Sequence, residues 1–193
     1  MNSINSVSFK GKRVLLRVDF NVPLDGDMNI IDNTRIKAAI PTIKKILSTG
    51  GRLILITHLG RPIDKKDLRF STKPIVKELS LLLNQNVFFF PDCIGDGVQE
   101  KVLSIGDGEV VLLENLRFYK EEREGEVSFS KKLASLADVY VGDAFGVSHR
   151  AHASNSIVPT FFKNKRFMGF LMEKELESLC SITKNPLSPF TAI

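Results

Sequence analysis

At 193 residues the chain is long enough for one full domain with an appendage and short for two. A 43% hydrophobic, 25% charged composition excludes a disordered chain. No apolar run approaches the roughly 20 residues that cross a bilayer, and the opening MNSINSVSFKGKR lacks the apolar core of a secretory signal. The formal charge of +5 asks for an anionic partner: nucleic acid, an anionic membrane surface or a small polyanion. Lysines are scattered, whereas several arginines stand just past apolar runs. That placement favours a small anion in a pocket. Cys93 and Cys180 lie far apart and outside any CxxC pattern, so they read as reduced thiols of a cytoplasmic protein.

Five short apolar runs punctuate the chain, at 14–18, 53–56, 87–90, 110–113 and 139–141. The first lies within Arg13 to Pro23, RVLLRVDFNVP, and reads as a strand buried on both faces. Within it Arg17, Asp19 and Asn21 alternate, so an extended chain projects them to one side. A buried arginine needs a partner. Two arrangements meet that need: an internal Arg17–Asp19 ion pair, or a polar pocket wall at the carboxyl end of a central strand.

Helical patterns fill the intervals. Residues 33–48 follow Asp32-Asn33 and carry Ile36, Ile40, Ile43 and Leu47 at helical spacing, with Pro41 predicting a kink or a late start. Ser71-Thr72 and Pro74 open a helix over 72–84. Shorter helices are expected at 97–104 and 128–137, and a longer one at 169–183. Gly95-Asp96-Gly97 and Gly106-Asp107-Gly108 read as turns, since no nucleotide-binding GxGxxG or GxxxxGK[ST] is present. The alternation predicts an α/β fold: a Rossmann-like, doubly wound, mainly parallel sheet in three α/β/α layers. Beyond residue 155 the texture changes, with Phe161, Phe162, Phe167 and Phe170 crowded among basic residues. Phe190–Ile193 resembles the first half of a strand, so the sequence is expected to be cut there.

The chemistry-bearing residues follow the strands. Asp19, Phe20 and Asn21 come after the first, Thr57 to Pro62 after the second, Glu114 to Phe118 after the fourth, and Gly142 to His152 after the fifth. All three histidines (His58, His149, His152) lie in these loops with Arg61, Arg117 and Arg150, and Arg35 opens the first helix. A doubly wound sheet brings these loops to one face, where guanidinium forks suit phosphate or carboxylate. Local pairing of each arginine with Asp19, Glu114 or Asp143 is the structural alternative. A zinc site from His149, His152, His58 and Asp143 has suitable ligand types, but the interposed arginine opposes a cation.

Taken together these residues resemble phosphoglycerate kinase, over the whole chain. The pieces that carry the resemblance are RVDFNVP at 17–23, HLGRP at 58–62, ENLRF at 114–118, DAFGVSHRAHAS at 143–154 and GFLMEKELESL at 169–179. Val147-Ser148 departs from the threonine and alanine usual in the family. The resemblance implies the N-terminal lobe of a two-lobed glycolytic kinase, which moves a phosphoryl group between 1,3-bisphosphoglycerate and ADP to give 3-phosphoglycerate and ATP. By matching motif, Asp19, Phe20, Asn21, Arg35, His58, Leu59, Gly60, Arg61, Arg117 and Arg150 would bind the acid phosphate. Arg35 would stabilise charge on the moving phosphoryl group, and Arg17, His149 and His152 would form a supporting basic patch. It further implies a substrate-binding domain over 1–168, a hinge helix over 169–183 and the first residues of the nucleotide lobe over 184–193. Mg2+ would arrive with ATP or ADP on that second lobe, with no nucleotide or metal site in this chain, no nucleic-acid or membrane partner, and a monomeric complete enzyme. A half of this kind is expected to bind without turning over. A stand-alone module binding phospho-acids is the alternative, and the gene downstream of Ile193 discriminates the two.

Overall fold

Residues of the first apolar run alternate between two buried layers. Val14, Leu16 and Val18 join one apolar cluster with Ile36, Ile43 and Leu79, whereas Leu15 joins another with Phe129, Leu133 and Tyr140. A parallel strand covered by helices on both faces produces this pattern. The computed structural model describes residues 2–62 and 67–184. In chain order these form β1 (Asn2–Ser3), β2 (Arg13–Val18), α1 (Thr34–Ser48), β3 (Arg52–Ile56), α2 (Ile75–Leu83), β4 (Val87–Phe90) and α3 (Asp96–Leu103). There follow β5 (Val110–Leu113), α4 (Lys120–Glu124), α5 (Val127–Ala134), β6 (Val139–Asp143), β7 (Arg166–Met168) and α6 (Phe170–Lys184).

The strands make one sheet in the order β1-β7-β6-β2-β3-β5-β4, and every pairing among them is parallel. The α/β reading from sequence therefore holds. The chain first winds outward from β2 through β3 to β4 and β5, then crosses back to lay β6 on the other side of β2. The switch lies between β2 and β6, where Val18 stands opposite Asp143 and loops leaving the two strands open a crevice. α1 and α2 cover one face, and α3 and α5 the other.

Several expectations shift. α1 runs from Thr34 straight through Pro41, which faces solvent, so the late start does not occur. Its entry is held by Asp32, whose Oδ1 accepts from the Thr34 N–H at 2.8 Å. Asp96 and Gly97 belong to the first turn of α3, with Gly95 before it, instead of forming a free turn. Strands β1 and β7 escaped the sequence reading. They are two and three residues long, too short to show a period, and β7 is fixed by contacts such as Phe167 edge-on to Phe9, centroids 6.4 Å apart. α6 leaves the sheet edge with its start tied down: the Phe170 N–H donates to Thr42 Oγ1 at 3.0 Å, and the Met172 N–H to Asp143 Oδ1 at 3.1 Å. Cys93 is buried and Cys180 is exposed on α6. The strand expected at 190–193 lies outside the described residues.

Candidate functional site

The loops after β2, β3, β5 and β6 enclose a cleft of about 250 Å³ lined by Asp19, Asn21, Arg35, His58, Gly60, Arg61, Arg117, Gly146, Val147 and Arg150. Its walls are cross-linked by short local bonds. Asn21 Oδ1 accepts from the Gly60 N–H at 2.8 Å, tying the loop after β2 to the loop after β3. Thr57 Oγ1 accepts from the Phe20 N–H and donates to Val18 O, each at 3.0 Å. Gly60 adopts φ +58°, and a Cβ there would run into the Phe70 ring, so both backbone and space select glycine.

Asn115, fully buried after β5, ties these loops together. Its Nδ2 donates to Leu59 O at 2.7 Å and Phe70 O at 2.8 Å, while its Oδ1 accepts from the N–H groups of Leu59 at 3.2 Å and Arg117 at 3.0 Å. Arg117 is thereby aimed across the cleft, with Nη1 donating to Gly60 O at 2.6 Å. Its Nε is buried with no partner among the described residues, an orphan donor beside the cleft.

Charge in the cleft is lopsided. Arg35, Arg61, Arg117 and Arg150 line it against a single carboxylate, Asp19, which Arg35 already engages at 2.5 Å. The other two carboxylates that sequence offered are committed elsewhere. Glu114 accepts from Ser71 Oγ at 2.7 Å and from the N–H groups of Thr72 and Asn115 at 2.8 and 2.7 Å, and Asp143 anchors α6. Local pairing of every arginine is therefore not what forms. Burial, then Arg150 and Arg17, pushes Arg117 down to about 10, which still leaves it charged at neutral pH. His58 is pushed down to about 2, first by burial and then by Arg17, Arg117 and Arg150, so it stands neutral.

A second basic hollow of about 290 Å³ adjoins the first, sharing Arg61, Arg117 and Arg150 and adding Pro62, Arg123 and His152. His152 is pushed down to about 4 by burial and then by Arg117 and Arg150.

Not every expected residue faces the cleft. Phe20 is fully buried in the core, and Leu59 is buried against Asn115; both position their neighbours through the backbone. His149 is exposed outside both hollows, with the Arg150 Nε 3.4 Å from its Nε2. Arg17 neither pairs with Asp19 nor lines the cleft, because β2 ends at Val18 and alternation sends Arg17 into the layer beneath. His58, Asp143, His149 and His152 do not gather, and among the described residues no three carboxylate, thiol or imidazole groups are placed to hold a metal ion. Sequence reading missed the cleft's Gly146 and Val147, the neighbouring Arg123, and the supports Thr57 and Asn115. Thr57 and Asn115 left a trace, as polar residues just after apolar strands.

A fold of this order, with a guanidinium-rich cleft at its switch point, has close counterparts. The sequence profile described as phosphoglycerate kinase matches residues 4–193. The chain belongs to the phosphoglycerate kinase family. It is 53% identical over 193 residues to phosphoglycerate kinase 2, chloroplastic, of Arabidopsis thaliana, covering all of this chain and 40% of that one. It is 52% identical to phosphoglycerate kinase of Borrelia duttonii, again over the whole chain and 48% of the relative. Among solved structures, phosphoglycerate kinase from Coxiella burnetii superposes with a TM-score of 0.85 at 34% identity, covering 97% of this chain and 46% of the other. The chain thus spans about half the length of the phosphoglycerate kinases it matches.

Proposed function

We propose that this chain is the acid-phosphate-binding lobe of a phosphoglycerate kinase, which transfers a phosphoryl group between 1,3-bisphosphoglycerate and ADP. The observation that carries the reading is the cleft: four arginines, one engaged carboxylate, a neutral imidazole and an orphaned buried guanidinium N–H. Such a donor set is complementary to a small molecule bearing phosphate and carboxylate groups. Arg61, Arg117 and Arg150 hold the anionic groups. Asn21 and His58 contribute uncharged donors, and Asp19 fixes Arg35 at the mouth of the cleft. Arg35, 53% exposed, faces outward toward an incoming nucleotide and stabilises charge on the phosphoryl group in transit.

Phosphoryl transfer leaves a protein little covalent work, so the lobe acts by positioning and by charge stabilisation. The part of the relatives' length that this chain does not match would carry the nucleotide. Residues 169–183 would serve as the hinge between lobes 1–168 and 184 onward, and closure about it would exclude water that hydrolyses the acyl phosphate. Mg2+ does not fit this cleft. A hard cation needs a shell of oxygens, and the one cleft carboxylate already engages a guanidinium. The metal enters with the nucleotide, and no step here runs through it. Among the described residues no helix is long and apolar enough to cross a membrane; a cytoplasmic, monomeric complete enzyme forms part of the proposal.

Calorimetric titration with 3-phosphoglycerate, and separately with Mg-ATP, at one low ionic strength tests the reading. Binding of the acid phosphate alone is expected. Binding of Mg-ATP in preference would overturn the assignment of the cleft.

A further inference from the structure

Beneath the cleft lies a buried polar chain that the reading above does not use. Arg17, 1% exposed, enters the layer of Leu15 and Tyr140. Its Nε donates to Ser154 Oγ at 2.9 Å, one Nη donates to Val18 O, and the other meets His58 Nδ1 at 3.0 Å. Ser154 Oγ in turn donates to Glu122 Oε1 at 2.6 Å, and the Ser154 N–H donates to Glu122 Oε2 at 3.0 Å. Tyr140 Oη donates to Ser154 O at 3.0 Å and holds that backbone in place.

The polarity of this chain is dictated by chemistry. A guanidinium has five N–H donors and no acceptor. His58 Nδ1 must therefore present its lone pair, and a neutral ring then carries its proton on Nε2. That nitrogen has no partner among the described residues, and the ring lines the cleft. Ser154 Oγ, accepting from Arg17, must pass its own proton on to Glu122. Glu122 is 1% exposed and supplies the buried negative charge opposite Arg17. Burial pushes the Glu122 carboxyl up, while Arg17 and the two Ser154 bonds pull it back down.

We propose that Glu122 and Ser154 are positioning residues of the cleft: through Arg17 they lock His58 as the Nε2–H tautomer, an uncharged donor aimed at the bound acid phosphate. The inference rests on the proposed reading of the cleft as an acid-phosphate site. It assigns work to α4, a five-residue helix whose sequence, KEERE, looks like a solvated surface turn. Removing the Glu122 charge leaves Arg17 buried without a counter-ion, and the Arg17–His58 bond loses its fixed geometry. The cationic groups facing His58 are Arg17, Arg117 and Arg150, with His152 beside them. Any loosening therefore randomises the tautomer instead of charging the ring.

Nitrogen NMR of 15N-histidine-labelled protein, with and without 3-phosphoglycerate, tests this. The chain has three histidines, and a His58→Gln variant assigns the signal. The wild type should show a single neutral Nε2–H tautomer at His58. Glu122→Gln and Ser154→Ala should each show mixed tautomers and bind 3-phosphoglycerate at least tenfold more weakly. If Glu122→Gln fails to fold, Ser154→Ala carries the same test, since it deletes only the linking oxygen. A wild-type His58 protonated on Nδ1, or variants that keep both tautomer and affinity, would overturn the proposal. Should the wild type bind no 3-phosphoglycerate, the reading of the cleft fails, and the tautomers still decide the role of Glu122.

Discussion

The two ends of one sheet treat arginine in opposite ways. Where strands begin, Arg13 pairs with Asp138 at 2.9 Å and Arg52 with Asp107 at 2.6 Å, each cation meeting its own carboxylate. Arg13 holds Asp138 below the ordinary carboxylate range, as a structural pair should. Where strands end, Arg35, Arg61, Arg117 and Arg150 crowd one cleft around one carboxylate, and Arg117 is pushed down first by burial and then by Arg150 and Arg17. Like charges gathered in this way cost stability, and a fold retains them where an anion completes the site. The arginine count alone does not separate the two ends; the location of the carboxylates does.

Breaking the scaffold under the cleft should have the largest effect. Asn115→Ala leaves Leu59 and Phe70 carbonyls and two N–H groups without their partner, so unfolding free energy measured in urea should fall by about 3 kcal/mol. His58 sharpens the comparison through pH. As pH falls below 6.5 the unfolded chain takes up a proton at this residue, and the folded chain does not until about 2, so stability is lost across that window. Glu122 and Asp143, both pushed up by burial, work in the other direction, so the net slope mixes the two. The difference in unfolding free energy between wild type and His58→Gln isolates the histidine. It should move against the wild type by on the order of 3 kcal/mol between pH 6.5 and pH 4.

Smaller effects separate the ends directly. Arg150 has no ion-pair partner among the described residues. Arg150→Ala should weaken 3-phosphoglycerate binding about 10- to 100-fold, the worth of one or two charge-assisted hydrogen bonds, while changing stability by no more than about 0.5 kcal/mol. Arg13→Ala should do the reverse, costing at most about 1 kcal/mol of stability and leaving affinity unchanged.

The sequence made the cleft legible where signals are local. Apolar runs located five strands, and polar residues immediately beyond them marked Asp19, Asn21, His58, Arg61, Arg117 and Arg150. What stayed hidden depends on distant partners. Glu122 sits in a charged run, and its burial is explained only by distant partners: Ser154, 32 positions later, and through it Arg17, 105 positions earlier on β2. His149 and His152 are equivalent in the sequence, two imidazoles flanking an arginine, yet the backbone turn at 148–150 puts one in solvent and the other beside Arg117. Phe20 and Leu59 share loops with cleft-lining residues, but hydrophobicity takes their side chains into the core.

The most direct test of the contrast is a paired calorimetric titration of Arg150→Ala and Arg52→Ala with 3-phosphoglycerate, against the wild type and at one ionic strength. On this placement of the anion among the arginines of the cleft, binding should be at least tenfold weaker for Arg150→Ala and unchanged for Arg52→Ala. Equal losses in both variants, or none in either, would contradict it.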